Sequence, residues 1–518
     1  MSTTPETTAA EKKRGAFSSR RVFIFAAIGS AVGLGNIWRF PYTAYENGGG
    51  AFLLPYIIAL LTAGIPFLYL VYGIGHRGRG SAPLSFARIS RKTEWLGWWQ
   101  VGICFVIAVY YAAIIAWALR YMIFSFNKSW GADPETFFGV DFLQGSDITQ
   151  GLTLDFVAGL LVPLALVWLS VIVIMALGVQ RGIGSTAVVF IPVLVIAFIG
   201  LVGRSLFLPG AAEGLNTLFT PDWGALTDTG VWAAAYGQIF FSLSIGFGIM
   251  ITYSSYVGRK TDMTGSGAVV GFANSGFELL CGIGVFAALG FIAQAQGVAV
   301  TEVAAGGIGL AFIAFPTIIS EAPGGAVIGV LFFGSLILAG ITSLVSILEV
   351  VISAIRDKFE MSRVGASMAV TIPATIVSVL FFSTTSALAV LDVADKFINN
   401  FGILLVAVVM MIVLAWGVRI LPTFTDHLNV YGTVPLRMWW IVLMSVVTPV
   451  MLTFVLISEF VDTVKEPYGG YPDWLLYTFG WGLAAAVIGI GILASLMKWR
   501  PETPMTIPTS ESAEEAQR

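Results

Sequence analysis

Apolar runs long enough to cross a membrane recur along the whole chain, separated by short polar stretches. Against the roughly 20 apolar residues that span a bilayer as a helix, they fall at about 21–44, 51–76, 98–125, 156–177, 185–203, 231–256, 266–296, 325–355, 364–384, 390–416, 437–458 and 474–498. The pattern predicts an all-α polytopic membrane protein with twelve transmembrane helices in one domain over 17–500. Helices 1–5 lie at about 21–203, helices 6–10 at about 231–416, and helices 11 and 12 at about 437–498. The flanking stretches 1–16 and 501–518, rich in Thr, Ser, Glu, Pro and Ala, read as disordered cytoplasmic tails.

Two of the runs are interrupted by residues that weaken helices. The first breaks at Gly29-Ser30-Ala31-Val32-Gly33-Leu34-Gly35-Asn36, where each of three glycines costs about 1 kcal/mol relative to alanine in a helix. Backbone groups released at membrane depth must find partners, so exposed carbonyls and amides there point to a bound ion or polar solute. The sixth places small and polar residues at mid-membrane in Phe240-Phe241-Ser242-Leu243-Ser244-Ile245-Gly246-Phe247-Gly248. Spans one and six open two five-helix halves, as expected of a 5+5 inverted repeat whose broken helices meet at a central site. Elsewhere, as at Gly48-Gly49-Gly50, Gly282 and Gly284, glycine needs no role beyond letting helices approach.

Composition narrows the class. Of 518 residues, 57% are hydrophobic and 11% charged, which excludes a soluble multidomain protein, and the net charge of −3 offers nucleic acid no basic surface. Lys12, Lys13, Arg14, Arg20 and Arg21 precede the first span without a small-residue cleavage site, so no cleaved signal peptide is expected. The first cytoplasmic loop carries Arg77, Arg79, Arg88, Arg91 and Lys92, and the outer loops carry Asp133, Glu135, Asp141 and Asp147. That bias places both termini in the cytoplasm. Cys104 and Cys281 sit within spans and read as packing residues, while His76 and His427, far apart in sequence, offer no metal cluster.

The stretch GSAVGLGNIWRFPYTAYENGGGAFLLPY at 29–56 resembles the first-helix signature of the neurotransmitter:sodium symporter family, in particular its bacterial amino-acid transporters. Further matches are VYY at 109–111, GQIFFSLSIGFG at 237–248, Asn274 with Glu278, AGITS at 339–343, and Asp395, so the resemblance runs through all the spans. It implies the leucine-transporter fold, cell-membrane localisation, and sodium-coupled import of a neutral amino acid of the alanine, methionine and leucine class. The partners it implies are the amino acid, two sodium ions and membrane lipid, with a homo-oligomer or accessory subunit left open.

By this resemblance a first sodium site takes the Ala31 carbonyl, the Asn36 and Asn274 side-chain oxygens, Ser242 and the substrate carboxylate. A second takes carbonyls of Gly29, Val32 and Ala339 with the hydroxyls of Thr342 and Ser343. A Thr–Ser pair in a membrane helix more often bonds back to its own backbone, and AGITS is what favours the ligand reading. The Leu34 and Gly35 amides and the Tyr111 hydroxyl would hold the substrate carboxylate, and carbonyls of Ala31, Phe241, Ser242 and Ser244 its ammonium. Ile107, Phe241, Ser244, Phe247, Ser343 and Ile347 would form the side-chain cup. Monoamine carriers of the family have an aspartate where Gly33 stands, so this chain's substrate brings its own negative charge.

Ionisable groups inside a bilayer suggest function by default. Glu278 stands where animal relatives bind chloride with residues matching Tyr56, Gln238, Ser242 and Asn274. A built-in carboxylate there implies transport that does not require chloride, with Glu278 either returning a proton or serving as a neutral hydrogen-bond donor. Arg39 and Asp395 correspond to an outer gate above Phe241 and Tyr111, and Arg14 and Asp357 to an inner gate beside Phe17 and Tyr256. Arg120 reads as snorkelling, and Glu349 as paired in the cytoplasmic half. No Walker motif, nucleophile triad or metal cluster points to an enzyme. A proton-coupled amino-acid permease of the same fold, or less directly a non-transporting solute sensor, remains the alternative.

Overall fold

The computed structural model describes residues 16–303 and 307–507. Its principal helices are α1 (Arg20–Ala31), α2 (Leu34–Glu46), α3 (Gly50–Gly78), α4 (Glu94–Phe124), α5 (Ala158–Gly178), α6 (Ser185–Leu206) and α7 (Thr229–Ser242). They continue as α8 (Ile249–Ser254), α9 (Met263–Gln296), α10 (Gly325–Phe359), α11 (Arg363–Phe382), α12 (Ala387–Gly417), α13 (Met438–Gly470) and α14 (Asp473–Leu496). Among the described residues nine helices are long and apolar enough to cross a membrane, or ten when the bent α1–α2 pair counts as one. Two isolated bridges, Gly49 with Pro221 and Phe156 with Thr384, are the extended pairings between loops.

The first break is short and capped. Val32 and Gly33 leave helical geometry (ψ 90° and −169°), and the helix resumes at Leu34 with a 55° bend. Asn36, in the first turn of α2, accepts from the Gly33 amide at 2.9 Å, so the sequence supplies its own cap for an amide that lipid could not satisfy. The second break falls within the expected stretch 240–248. α7 stays helical through Ser242, and the chain turns over 243–248 with Ser244, Gly246 and Gly248 at φ of 51°, 96° and 87°. Glycine meets that left-handed requirement without strain, whereas Ser244 adopts it with its hydroxyl bonded across the bundle to the Ser30 carbonyl.

α3, α4 and α9 are mostly buried and surround both breaks, whereas α13 and α14 leave most of their surface to lipid. α8 crosses α3 at Gly75, where any Cβ would overlap the Ile251 carbonyl and Ser254 Oγ, so a missing side chain sets this contact. Residues 501–507, read from sequence as part of a disordered tail, are placed against the loop between α3 and α4, with the Pro504 carbonyl accepting from Arg88. The remainder of the expected tails, 1–15 and 508–518, lies outside the described residues.

Candidate functional site

The two breaks face each other at the centre of the bundle. Ser244 Oγ, from the second, donates to the Ser30 carbonyl in the first at 2.8 Å, and both residues are buried. Ser30 was not among the residues singled out from sequence. Its position inside the glycine-rich break was the available signal, but a serine there is indistinguishable from a small packing residue.

Three of the residues expected at the first sodium site form one buried chain. Asn36 Nδ2 donates to Asn274 Oδ1 at 2.9 Å, and Asn274 Nδ2 donates to Ser242 Oγ at 3.1 Å, linking α2, α9 and α7. The Ala31 carbonyl lies 4.0 Å from where a Cβ on Gly33 would stand. Side-chain oxygens and released carbonyls thus converge from three helices in a dry interior, the kind of donor set that suits a hard cation without a second buried acid.

At the second expected site, α10 meets the end of α1. Ser343 Oγ donates to the carbonyls of Gly29 (3.3 Å) and Ser30 (3.4 Å), and Thr342 Cβ lies 3.3 Å from where a Gly29 Cβ would stand. Thr342 Oγ1 instead bonds back to the Leu338 and Ala339 carbonyls, both at 3.0 Å. One member of the pair therefore does what membrane threonines ordinarily do, and the other reaches across to the broken helix. Val32 is buried beside them.

The first amides of α2 carry the positive end of its dipole and have no partner within the helix. The Leu34 amide donates to Tyr111 Oη at 3.2 Å, which gathers the expected carboxylate-binding groups in one place. A Cβ on Gly33 would stand 3.1 Å from Tyr111 Oη and 3.2 Å from Ser343 Oγ, so the missing side chain keeps this spot open. A Cβ on Gly35 would run into the Phe241 ring. Ile107, Phe247 and Ile347 are buried on α4, the second break and α10, and Cys104 Sγ fixes the Phe247 carbonyl at 3.0 Å.

Glu278 is fully buried on α9, one turn after Asn274. Gln238 Nε2 donates to Oε1 at 2.7 Å, Tyr56 Oη donates to Oε2, and Tyr56 Oη also lies 2.9 Å from Ser275 Oγ. Tyr56 and Gln238, read as neighbours of this carboxyl, are its direct partners.

The outer charges are arranged differently from a closed pair. Arg39 stacks 4.4 Å above the Phe241 ring, while Asp395 accepts from Tyr110 Oη (2.7 Å) and Asn399 Nδ2 (2.8 Å), and no ion pair joins the two among the described residues. A partly hydrated guanidinium over an aromatic face still gains about 0.5–1 kcal/mol. At the inner side Phe17 is buried edge-on against Tyr253 (centroids 5.4 Å apart) and near Tyr256 (6.2 Å), and its amide donates to the Tyr256 carbonyl. Asp357 accepts from the Ser81 amide at 2.7 Å, and its expected partner Arg14 lies outside the described residues. Phe241, Tyr111 and Arg39 keep some exposure while Phe17, Tyr253 and Tyr256 are buried, so the end of the bundle at Phe17 is the more tightly closed.

Several partners were invisible in sequence. Glu349 pairs with Arg363 at 2.7 Å and accepts from Tyr256 Oη at 2.6 Å; Arg120 covers the Phe124 ring at 4.7 Å. His76 and His427, read as distant, touch: His76 Nδ1 lies 2.9 Å from His427 Nε2, and His76 Nε2 lies 3.0 Å from the Gly258 carbonyl. No group of three or more metal-ligating side chains occurs among the described residues.

Comparison with known proteins gives the family. The profile of the Sodium:neurotransmitter symporter family matches residues 14–141 and 132–501. An uncharacterized sodium-dependent transporter of Methanocaldococcus jannaschii is 40% identical over 463 residues, covering 89% of this chain and 93% of its own. The sodium- and chloride-dependent taurine transporter of Rattus norvegicus is 31% identical over 541 residues, covering 96% and 86%. The sodium-dependent dopamine transporter of Bos taurus is 29% identical over 525 residues, covering 94% and 75%. With a family match over nearly all of its length, helices suited to the bilayer and two broken helices meeting at a polar centre, the chain belongs to the sodium:neurotransmitter symporter family and is a membrane transporter, not an enzyme.

Proposed function

We propose that the protein is a sodium-coupled symporter that imports a neutral amino acid, with an aliphatic or thioether side chain, by alternating access. The observation that carries this reading is the meeting of the two breaks: Ser244 on the Ser30 carbonyl, with the Asn36–Asn274–Ser242 chain beside it. A cation at the asparagines would be completed by the substrate's carboxylate, which the amides of α2 and Tyr111 favour, so ion and solute would raise each other's affinity. The second ion would sit where Ser343 reaches the α1 carbonyls. Each sodium entering down a 100 mV potential contributes about 2.3 kcal/mol, enough for roughly 50-fold accumulation per coupled charge.

The same reading takes the nine long helices as twelve crossings of a cell membrane with both termini inside. Ala158–Leu206 counts twice, divided at Gly178, and the α1–α2 and α7–α8 pairs add one each. The two five-helix halves are then inverted repeats. Arg39 and Asp395 form the outer gate when they close on the site, and Asp357 serves the inner one. The apolar cup, with only the Ser244 and Ser343 hydroxyls at its edges, favours alanine, methionine or leucine without sharply excluding neighbours, since each methylene is worth about 0.8 kcal/mol. Glu278 occupies the place of a chloride ion, which makes transport chloride-independent.

Purified protein in liposomes, offered each of the common amino acids with and without an inward sodium gradient, tests the reading. Sodium-dependent accumulation of neutral aliphatic amino acids is expected. Accumulation that ignores sodium would overturn it, and a proton-driven signal would favour the permease alternative.

A further inference from the structure

The chain does not leave the protein at the end of α14. Met497–Pro504 turns back along the cytoplasmic face and is held at three places. Lys358, the penultimate residue of α10, has a side chain only 1% exposed and pairs at 3.0 Å with Glu94, the fully buried first residue of α4. The same ammonium donates to the Met497 carbonyl at 2.8 Å and lies 4.2 Å from the centroid of Trp499 and 5.6 Å from that of Trp98, whose indole N–H itself donates to Glu94. Arg88, on the first cytoplasmic loop, grips the Pro504 carbonyl with Nε (3.0 Å) and Nη2 (2.9 Å) while its Nη1 holds the Gly78 carbonyl. Arg500 lies 3.6 Å from Glu360.

A buried ammonium needs acceptors and a covering surface, and much of both here comes from the C-terminal segment. Without Met497 and Trp499, the Lys358–Glu94 pair would face water on one side. Lys358 directly follows Asp357, which holds the Ser81 amide of that first loop. The contacts therefore tie the ends of α4 and α10 and the loop between α3 and α4 to one short strand of chain.

We propose that Met497–Pro504 is a cytoplasmic strap whose Trp499–Lys358–Glu94 clasp holds the inner side shut, so that release of the C-terminal segment sets how often that side opens. This rests on the transporter reading only in requiring an inner side that opens, and its test needs neither sodium nor a known substrate. The reporter is Ser254→Cys on α8, fully buried in this arrangement, in the full chain reconstituted in nanodiscs and reacted with a soluble maleimide. The parent with only buried Cys104 and Cys281 supplies the background.

Trp499→Ala in the reporter should speed labelling at least fivefold, and Trp499→Phe, which keeps an aromatic face, should label within twofold of the reporter alone. Lys498→Ala, a change at an exposed neighbour, should leave the rate unchanged. A chain ending at Arg500 keeps the tryptophan and, among the described anchors of the strap, loses the Arg88 grip, and should give an intermediate rate; it serves as the test if Trp499→Ala does not fold. Labelling of both Trp499→Ala and the shortened chain within twofold of the reporter would overturn the strap, as would an equal acceleration by Lys498→Ala. A failure of sodium-driven uptake with the labelling pattern intact would instead count against the transporter reading.

Discussion

If Glu278 stands in for a chloride ion, as proposed, replacing it by serine should make substrate binding depend on chloride. The carboxylate takes hydrogen bonds from Gln238 and Tyr56. After the change Tyr56 can turn to Ser275 Oγ, already 2.9 Å away, but Gln238 Nε2 has no other acceptor within bonding distance among the described residues. One buried donor left empty costs about 1–3 kcal/mol. The lost negative charge costs more: Glu278 follows Asn274 by one helical turn, about 6 Å, and at an effective dielectric of 20 a unit charge at that distance stabilises a sodium ion by about 3 kcal/mol. The empty donor burdens the ion-free and ion-bound states alike, so the charge sets the change, and sodium-dependent substrate binding by Glu278→Ser in gluconate should weaken on the order of 100-fold. Chloride, seated among Tyr56, Gln238, Ser242 and Asn274, should recover most of the loss. Equilibrium binding of a labelled neutral amino acid, titrated with sodium in chloride and in gluconate, measures both effects. Glu278→Gln separates the two states of the acid, because its amide neither carries charge nor leaves room for an anion. It should be weak in both salts. If Glu278→Gln binds like the native protein, the carboxyl is neutral at this step and the charge argument fails.

Two further outcomes follow from the same geometry. Gly35→Ala puts a methyl group into the Phe241 ring, an overpacking worth about 1–3 kcal/mol, so substrate affinity at saturating sodium should fall roughly 5- to 100-fold; unchanged affinity would mean that Phe241 does not close on the site. His427 lies outside the membrane spans, and burial together with Arg77, Arg79 and Arg259 pushes its pKa down from 6.5 to about 4. The folded protein binds fewer protons there than the unfolded chain, so its stability is intact above pH 6.5 and declines as pH falls toward 4. The thermal midpoint should drop more steeply over that window in the native protein than in His427→Gln, and parallel curves would refute the assignment.

How much of this was legible beforehand depended on whether the signal was local. The spans followed from apolar length, and observed ends such as Ala158–Gly178 and Ser185–Leu206 fall within a few residues of those expected. The first break was legible because its glycines and its own cap, Asn36, stand together. The second was legible in the small and polar residues of 240–248: the helix ends at Ser242, and the left-handed turn begins at Ser244, which bonds the opposing break.

What the sequence determined by itself was which groups could not be left to lipid: the break at 29–36, the asparagines, and Glu278. Beyond the local Asn36 cap, where buried polar groups found partners was decided by packing. Glu349 with Arg363, His76 with His427, Arg39 on Phe241 and Lys358 under Trp499 join positions that no period or spacing relates. A buried polar group must be satisfied, and that requirement can be read one residue at a time. Which of many chemically equivalent partners satisfies it depends on how helices distant in sequence come to lie side by side.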